Sequence, residues 1–196
     1  MLELVVVSAG LGEHSSSTRL GEQLGRATVA ALADEGIQAK VTHLDVRLLA
    51  EDLVAQLIGR VASPGVHEAQ AALLAADGVI VVTPIYNGSF SGLFKLFFDC
   101  IDPRTMSGRP VMLAATGGSP RHSLVIENSL LPLFYYFKAL IVPTSVFAAA
   151  ADFAQPGDLE LRVQQAAARF ARFVLVARPP KQLPTPAIAD YDDLLG

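Results

Sequence analysis

Four consecutive hydroxyl side chains, at residues 15–18, are the first feature of this sequence that could do chemistry. They follow a short valine-rich run, Leu2–Val7, at the point where apolar residues begin to recur at helical spacing. Helix N-termini offer free N–H groups and a partial positive charge, and hydroxyls there can also donate to phosphate oxygens. No acidic residue lies between His14 and Gly21. This turn therefore predicts a bound phosphate group, with ordinary N-capping by one hydroxyl as the alternative.

A second loop, residues 83–92, follows the apolar run GVIVV and combines proline, tyrosine and an Asn-Gly pair. Pro84 restricts the backbone, and Asn87-Gly88 favours a turn. We expect the backbone amides around Tyr86 to face a planar heteroaromatic ring, on which the tyrosine side chain can stack. An ordinary strand-to-helix turn is the alternative.

A third loop, residues 116–120, contains the diglycine Gly117-Gly118. Two glycines let the backbone approach a ligand closely, although a tight turn with positive φ would also need them. The carboxyl ends of parallel strands lie at one edge of a sheet, where ligands bind in open α/β folds. The three loops would line one cleft there, suited in turn to a phosphate, a ribityl chain and a flat ring.

The elements that must position these loops alternate between short apolar runs and longer helical segments. The expected strands are Leu2–Val7, Ile37–Val46, Gly78–Val82, Pro110–Ala115 and Ile141–Ala148; the expected helices are Ser17–Glu35, Leu48–Arg60, Pro64–Ala76, Ser91–Ile101, His122–Leu140 and Leu159–Ala177. Four of the strand runs are apolar on both faces, which is typical of a parallel sheet covered by helices on both sides.

Composition narrows the classes of protein. A chain of 196 residues with 52% hydrophobic and 17% charged residues is not disordered, and its length predicts one domain. A net charge of −4 gives no general attraction to nucleic acid, and a single cysteine excludes an internal disulfide framework. No apolar stretch is long enough for a membrane span, and the N-terminus lacks the features of a signal peptide. We expect a cytoplasmic protein with a domain at 1–178 and an arm or disordered tail at 179–196.

The three loops resemble those of the NADPH-dependent FMN reductase family of flavodoxin-like proteins. The matching segments are SAGLGEHSSSTRL, TPIYNGSFSGLFKLFFD and ATGGSPRHSLVIENSLLPLFYYFKAL. The resemblance implies a flavodoxin-like three-layer α/β sandwich with a five-stranded parallel sheet in the order 2-1-3-4-5. It implies FMN in the cleft and NADPH or NADH as reductant. The implied cofactor-binding residues are Ser8, Ser15, Ser16, Ser17, Thr18, Pro84, Ile85, Tyr86, Asn87, Gly88, Thr116, Gly117, Gly118 and Ser119.

The chain departs from the family pattern at two positions. His14 stands where many members have an arginine before the hydroxyl cluster, so phosphate binding is expected to be weaker or more pH-dependent. Leu131 stands where many members have a basic residue. His122 could contact the flavin or cap a helix, and Cys100 is interpreted as a buried apolar residue. The arginines of the last helix, Arg162, Arg169, Arg172 and Arg178, are interpreted as a solvated helix face rather than a nucleic-acid site.

The resemblance implies hydride transfer from the nicotinamide to flavin, so we expect binding residues but no catalytic side chain and no metal ligand. The leading hypothesis is an FMN reductase that supplies reduced FMN to a partner monooxygenase. An FMN-containing reductase of quinones, azo dyes or metal oxyanions is one alternative, and a non-enzymatic flavodoxin-like electron carrier is another. The helices Gly92–Ile101 and Leu130–Phe137 are apolar nearly all round, which predicts a homodimer or homotetramer.

Overall fold

Seven strands form one sheet in the computed structural model, which describes residues 1–59 and 61–177. The strands are β1 (Leu2–Ser8), β2 (Ala39–Asp45), β3 (Gly78–Tyr86), β4 (Ser89–Phe90), β5 (Pro110–Gly117), β6 (Leu140–Ile141) and β7 (Val146–Ala149). The main path runs β2-β1-β3-β5-β6 with parallel pairing throughout. β7 also pairs with β5 in parallel, and β4 pairs with β3 antiparallel. The predicted parallel α/β sheet is therefore confirmed.

Helices cover both faces of this sheet. They are α1 (Ser16–Asp34), α2 (Ala50–Gly59), α3 (Pro64–Ala75), α4 (Gly92–Asp99), α5 (Leu131–Tyr136), α6 (Ala150–Ala154) and α7 (Pro156–Val176). The buried residues of α1 and α7 share one core with one face of the sheet, and those of α2 to α5 share a second core with the other face. No helix of the described residues is both long and apolar enough to cross a membrane.

The strand count differs from the predicted five because two local features escape a hydropathy reading. The second loop folds back on β3 as the short strand β4. The last predicted strand, Ile141–Ala148, is split into β6 and β7 around Pro143, which has no N–H to donate to the sheet. β3 and β5 also continue beyond their predicted ends, to Tyr86 and Gly117.

The long helix predicted at 122–140 is wrong. A 3₁₀ turn (Pro120–His122), a π-helical turn (Ile126–Leu130) and the short helix α5 occupy this region instead. Pro132 lies in the first turn of α5, where a missing N–H is tolerated, but it interrupts the hydrogen-bond ladder of any longer helix. Ile126, Leu130, Phe134 and Phe137 of this segment are core residues, whereas Leu124, Tyr135 and Tyr136 are exposed.

Close packing of α1 on the sheet places its N-terminus at the carboxyl edge. A Cβ on Gly21 would lie 2.8 Å from Val6 Cγ1, and one on Gly25 would lie 3.1 Å from Val6 Cγ2. The helix backbone therefore rests directly on β1. The loop between β1 and α1 is correspondingly tight, and the first turn of α1 lies beside the ends of β1 and β5.

The predicted tail at 179–196 and Arg178 lie outside the described residues. Among the other arginines of the last helix, Arg162 is not a free surface charge. It donates to the carbonyl of Phe147 and to Asp152, each at 2.6 Å, and so ties α7 to the end of β7 and the start of α6.

Candidate functional site

The three loops meet in one cleft of about 390 Å³ at the carboxyl edge of the sheet. Its lining consists of Gly10, Leu11, Gly12, His14, Ser15, Ser16, Ser17, Pro84, Ile85, Tyr86, Thr116, Gly117, Gly118 and Ala150. Nine of these are among the fourteen predicted site residues. The volume lies in the range of about 300–1,000 Å³ that is usual for small-molecule sites.

The first turn of α1 presents backbone donors to this cleft. Ser15 is the N-cap residue, and its Oγ accepts a hydrogen bond of 2.9 Å from the Thr18 N–H. The Arg19 N–H donates to the Ser15 carbonyl at 3.0 Å. The amides of Ser16 and Ser17 have no carbonyl one turn earlier in the helix to bond. Both readings of the hydroxyl cluster therefore apply: Ser15 caps the helix, and the helix end still offers amides to an anion.

The Ser17 hydroxyl has a structural partner. Its Oγ lies 2.7 Å from Thr116 Oγ1, and both side chains are buried. This bond joins the first turn of α1 to the end of β5 and so connects two of the three predicted loops. A ligand phosphate would consequently meet the Ser17 amide rather than a free Ser17 hydroxyl.

Two predicted residues, Ser8 and Thr18, support the cleft without lining it. Ser8 is fully buried, and its Oγ lies 2.9 Å from His43 Nε2 and 3.3 Å from Thr18 Oγ1. Thr18 Oγ1 in turn lies 2.7 Å from Ser15 Oγ. Burial lowers the pKa of His43, whereas the carboxylates of Glu22 and Asp45 oppose that shift.

The second loop is a two-residue hairpin rather than a plain strand-to-helix turn. Asn87 and Gly88 both have positive φ, 50° and 81°, which is the backbone that an Asn-Gly hairpin turn requires. They form the tip and do not line the cleft, which receives Pro84, Ile85 and Tyr86 instead. Tyr86 is 46% exposed, so its ring is accessible to a partner.

Ser91 anchors this hairpin to the first loop. Its N–H donates to Thr83 Oγ1 at 3.0 Å, and its hydroxyl donates to the Ala9 carbonyl at 3.3 Å. The same hydroxyl accepts from the Phe94 N–H at 3.2 Å and so caps α4. One buried serine thus fixes the relative position of two cleft walls.

In the third loop, the backbone at Gly117 lies close to the Phe147 ring. A Cβ there would lie 2.9 Å from Phe147 Cζ, whereas a Cβ on Gly118 would meet nothing within 4 Å. Ser119 does not line the cleft, and its Oγ accepts from Arg121 Nε at 3.2 Å. His122 is exposed in the 3₁₀ turn that follows and has no capping bond to α5.

Gly10, Leu11, Gly12 and Ala150 line the cleft but are not among the implied binding residues, and His14, at the position of the family's arginine, lines it as well. A Cβ on Gly10 would lie only 1.9 Å from Ser15 Oγ, so the loop closes over the N-cap residue. The Gly-Leu-Gly sequence was a visible signal of this close approach. Ala150 gave no signal, because only the tertiary structure brings the start of α6 to the cleft.

The electrostatics of the cleft suit an anion. No carboxylate occurs among the lining residues that the structure describes, and His14 is exposed at its edge. Arg19 does not contribute a charge there, because its guanidinium stacks on the Phe153 ring at 5.4 Å from the ring centre. His14 is thus the one imidazole among the described lining residues.

Cys100 lies outside the cleft. Cys100 is 8% exposed, and its thiol donates to the Leu53 carbonyl at 3.5 Å. Burial, followed by the neighbouring Asp99 carboxylate, raises the pKa of this thiol. No cluster of three His, Cys, Asp or Glu residues suited to a metal ion occurs in residues 1–59 and 61–177.

Known proteins match the chain over most of its length. The sequence profile of the family described as NADPH-dependent FMN reductase matches residues 2–154. The chain is 37% identical to the NADH-dependent FMN reductase SfnE of Pseudomonas putida, over 86% of this chain and 90% of that protein. It is 47% identical to the NADH-dependent FMN reductase SfnF of Pseudomonas fluorescens strain Pf0-1, over 49% of this chain and 54% of that protein.

The fold is also close to that of a solved structure. An oxidoreductase from Corynebacterium diphtheriae superposes with a TM-score of 0.86 at 38% identity, covering 90% of this chain and 98% of that one. The profile match extends from β1 through α6 and so includes all the described walls of the cleft. The chain belongs to the NADPH-dependent FMN reductase family.

Proposed function

We propose that this protein is an NAD(P)H-dependent FMN reductase and that FMN binds in the three-loop cleft. The observation that carries the proposal is the convergence of helix amides, the Tyr86 hairpin and the Gly117–Gly118 backbone on one carboxylate-free cleft. The phosphate would be held by the Ser16 and Ser17 amides and the Ser15 hydroxyl. The ring would lie between the hairpin and the diglycine.

When bound, FMN supplies the redox chemistry by accepting hydride from the nicotinamide. The chain has the simpler tasks of orienting the flavin and leaving one ring face accessible. The amides of Gly117 and Gly118, which line the cleft, would donate hydrogen bonds to the ring and stabilise negative charge on it. We therefore assign binding residues and no catalytic side chain.

Flavin titration and steady-state kinetics test this proposal together. The fluorescence of FMN should be quenched on binding. The rate of NADPH or NADH oxidation should depend on flavin and reach a maximum as FMN is added. Riboflavin should bind more weakly, because it lacks the phosphate that the α1 terminus is expected to hold. Equal binding of FMN and riboflavin would contradict the placement of the phosphate. Parallel assays with NADPH and NADH decide the preferred reductant, since relatives named for each occur.

We further propose that FMN is a loosely held substrate and that its reduced form serves a partner monooxygenase in the cytoplasm. Neutral hydroxyls and amides, with His14 in place of an arginine, hold the phosphate. The chain has no tryptophan to clamp the ring. A micromolar dissociation constant, equivalent to about −8 kcal/mol, is expected, and the purified protein should be nearly colourless. A yellow protein that retains flavin through gel filtration would instead favour a quinone or azo-dye reductase.

We also propose that the chain forms a homodimer or homotetramer through the face that carries α4 and α5. The phenylalanines of these helices and of the α5 C-cap are core residues and explain much of the apolar composition: Phe94, Phe97, Phe98, Phe134 and Phe137. Tyr135 and Tyr136 nevertheless remain 63% and 72% exposed on the same side of the sheet. This residual exposed area supports association.

A further inference from the structure

A continuous series of hydrogen bonds connects the edge strand β2 to the cleft. His43 Nε2 lies 2.9 Å from Ser8 Oγ, Ser8 Oγ lies 3.3 Å from Thr18 Oγ1, and Thr18 Oγ1 lies 2.7 Å from Ser15 Oγ. Ser15 lines the cleft, whereas the other three residues do not. An ionisable ring outside the cleft is therefore bonded, through two hydroxyls, to a hydroxyl inside it.

The packing of α1 makes this series possible. A Cβ on Gly21 would lie 3.8 Å from His43 Nε2 and 2.8 Å from Val6 Cγ1, so helix, strand and imidazole are in close contact. Ser8 is fully buried beneath them. The imidazole lies between β2 and α1, within hydrogen-bond distance of the Ser8 hydroxyl.

The direction of the hydroxyl protons depends on the imidazole. Ser15 Oγ already accepts from the Thr18 N–H at 2.9 Å. If His43 Nε2 donates to Ser8, then Ser8 donates to Thr18 and Thr18 to Ser15, which leaves the Ser15 proton free for the cleft. If Nε2 accepts, each hydroxyl turns round and the Ser15 proton points away from the cleft. A neutral imidazole permits either direction, but an imidazolium ion can only donate.

We propose that His43 is a positioning residue for the flavin phosphate: in its protonated form it directs the Ser15 hydroxyl proton into the cleft through Ser8 and Thr18. This inference rests on the proposed binding of FMN in that cleft. Because coupling is reciprocal, phosphate binding must favour protonated His43 to the same extent that protonation favours phosphate binding.

The charged groups around His43 are compatible with this role. Glu22 and Arg26 of α1 line a surface cavity of about 370 Å³ together with His43. Asp45 of β2 also acts on the ring and is itself paired with Arg47 at 3.4 Å. Burial favours the neutral ring, and the two carboxylates favour the charged one. Burial outweighs the carboxylates and holds the His43 pKa below its ordinary value, so a bound anion that favours the charged ring can raise it.

The test measures FMN binding as a function of pH in proteins that all carry His14→Gln, which removes the histidine within the cleft. FMN and riboflavin are titrated into this protein and into its His43→Gln derivative between about pH 5.5 and 8, around the ordinary histidine pKa. The ionisation of the FMN phosphate is common to both proteins and cancels in the ratio of their dissociation constants. NMR of the His43 ring, with and without FMN, gives its pKa directly.

We expect FMN affinity relative to His43→Gln to rise about three- to tenfold as the pH falls, equivalent to a rise of about half to one pKa unit in His43 on binding. Riboflavin should show no such change, and Ser15→Ala should abolish it for FMN. A constant ratio, an unshifted His43 or a pH effect that survives Ser15→Ala would overturn the role of His43. If FMN fails to bind, or binds no better than riboflavin at any pH, the proposed phosphate site itself is wrong and the inference falls with it.

Discussion

At the scale of single residues, Ser15 has two functions that can be separated. It caps α1, and its hydroxyl faces the proposed phosphate site. Ser15→Ala should lower the free energy of unfolding by about 0.5–2 kcal/mol through loss of the cap. It should also raise the FMN dissociation constant about tenfold, because a hydrogen bond to a charged group is lost. Chemical denaturation and flavin titration measure the two effects.

Ser63→Ala is the matched control for this variant. Ser63 caps α3 by accepting from the Val66 N–H at 3.2 Å, and it does not line the cleft. Its replacement should destabilise the fold by a similar amount and leave FMN affinity unchanged. If Ser63→Ala weakened FMN binding as much as Ser15→Ala does, the effect at Ser15 would be one of stability alone.

The lowered pKa of His43 also predicts how the stability of the flavin-free protein depends on pH. Burial holds its pKa below the ordinary value, so in the window between the folded and unfolded pKa values the unfolded chain binds more protons. The free energy of unfolding of the wild-type protein, relative to His43→Gln, should therefore fall as the pH falls from about 7 to 5. Urea denaturation at each pH measures the difference. Parallel pH profiles for the two proteins would contradict it.

At the scale of elements, the loop between β1 and α1 depends on close approach at Gly10. A Cβ there would lie 1.9 Å from Ser15 Oγ and 2.3 Å from Ser15 Cβ, so a rotamer change alone cannot relieve the clash. Gly10→Ala should destabilise the protein by about 1–3 kcal/mol and weaken FMN binding. Gly12→Ala, in the same loop, meets nothing within 4 Å and should change stability by less than about 0.5 kcal/mol. Equal thermal stability of the two variants would refute the argument.

The Ser17–Thr116 bond should couple α1 to β5 energetically. Ser17→Ala or Thr116→Val alone leaves one buried hydroxyl without its partner, at a cost of about 1–3 kcal/mol. The double variant should lose less free energy of unfolding than the two single variants together, by about 0.5–3 kcal/mol. A double-mutant cycle measured by urea denaturation gives this difference.

Thr28→Val provides the control for this cycle. Thr28 is buried in α1, but its hydroxyl donates to the Leu24 carbonyl of the same helix at 2.8 Å. When Thr28→Val is combined with Ser17→Ala, the two losses in free energy of unfolding should add to within about 0.5 kcal/mol. Additivity of Ser17→Ala with Thr116→Val as well would mean that their bond contributes nothing specific.

At the scale of the whole molecule, the proposed association has a direct test. Light scattering at micromolar concentration should give the molar mass of a dimer or tetramer. Tyr136→Asp should lower this mass towards that of a monomer, because burying an unpaired charge at an apolar interface is costly. Leu161→Asp is the control, since Leu161 is 53% exposed on α7, on the opposite side of the sheet. A monomeric wild-type protein, or an equal effect of both variants, would refute an interface at α4 and α5.

Much of the fold followed from local chemistry in the sequence. Valine-rich runs and amphipathic segments predicted the parallel sheet and its two helical layers, because burial on both faces requires apolar residues at every strand position. Asn87-Gly88 predicted its turn, because few other residues adopt positive φ readily. Local signals failed at 122–140, because hydropathy does not distinguish the π-helical turn before Pro132 from a continuous α-helix. They failed again at Pro143, which splits the last strand.

The candidate site shows the same division. The sequence by itself determined which loops meet at the cleft and which residue types they carry, since parallel strands place their carboxyl ends at one edge. Only the tertiary structure decided what each hydroxyl does. The bond between Ser17 and Thr116 spans 99 positions of the chain, and that between Ser8 and His43 spans 35. Hydrogen bonds between residues so far apart depend on side-chain packing across strands and helices, which no local pattern records.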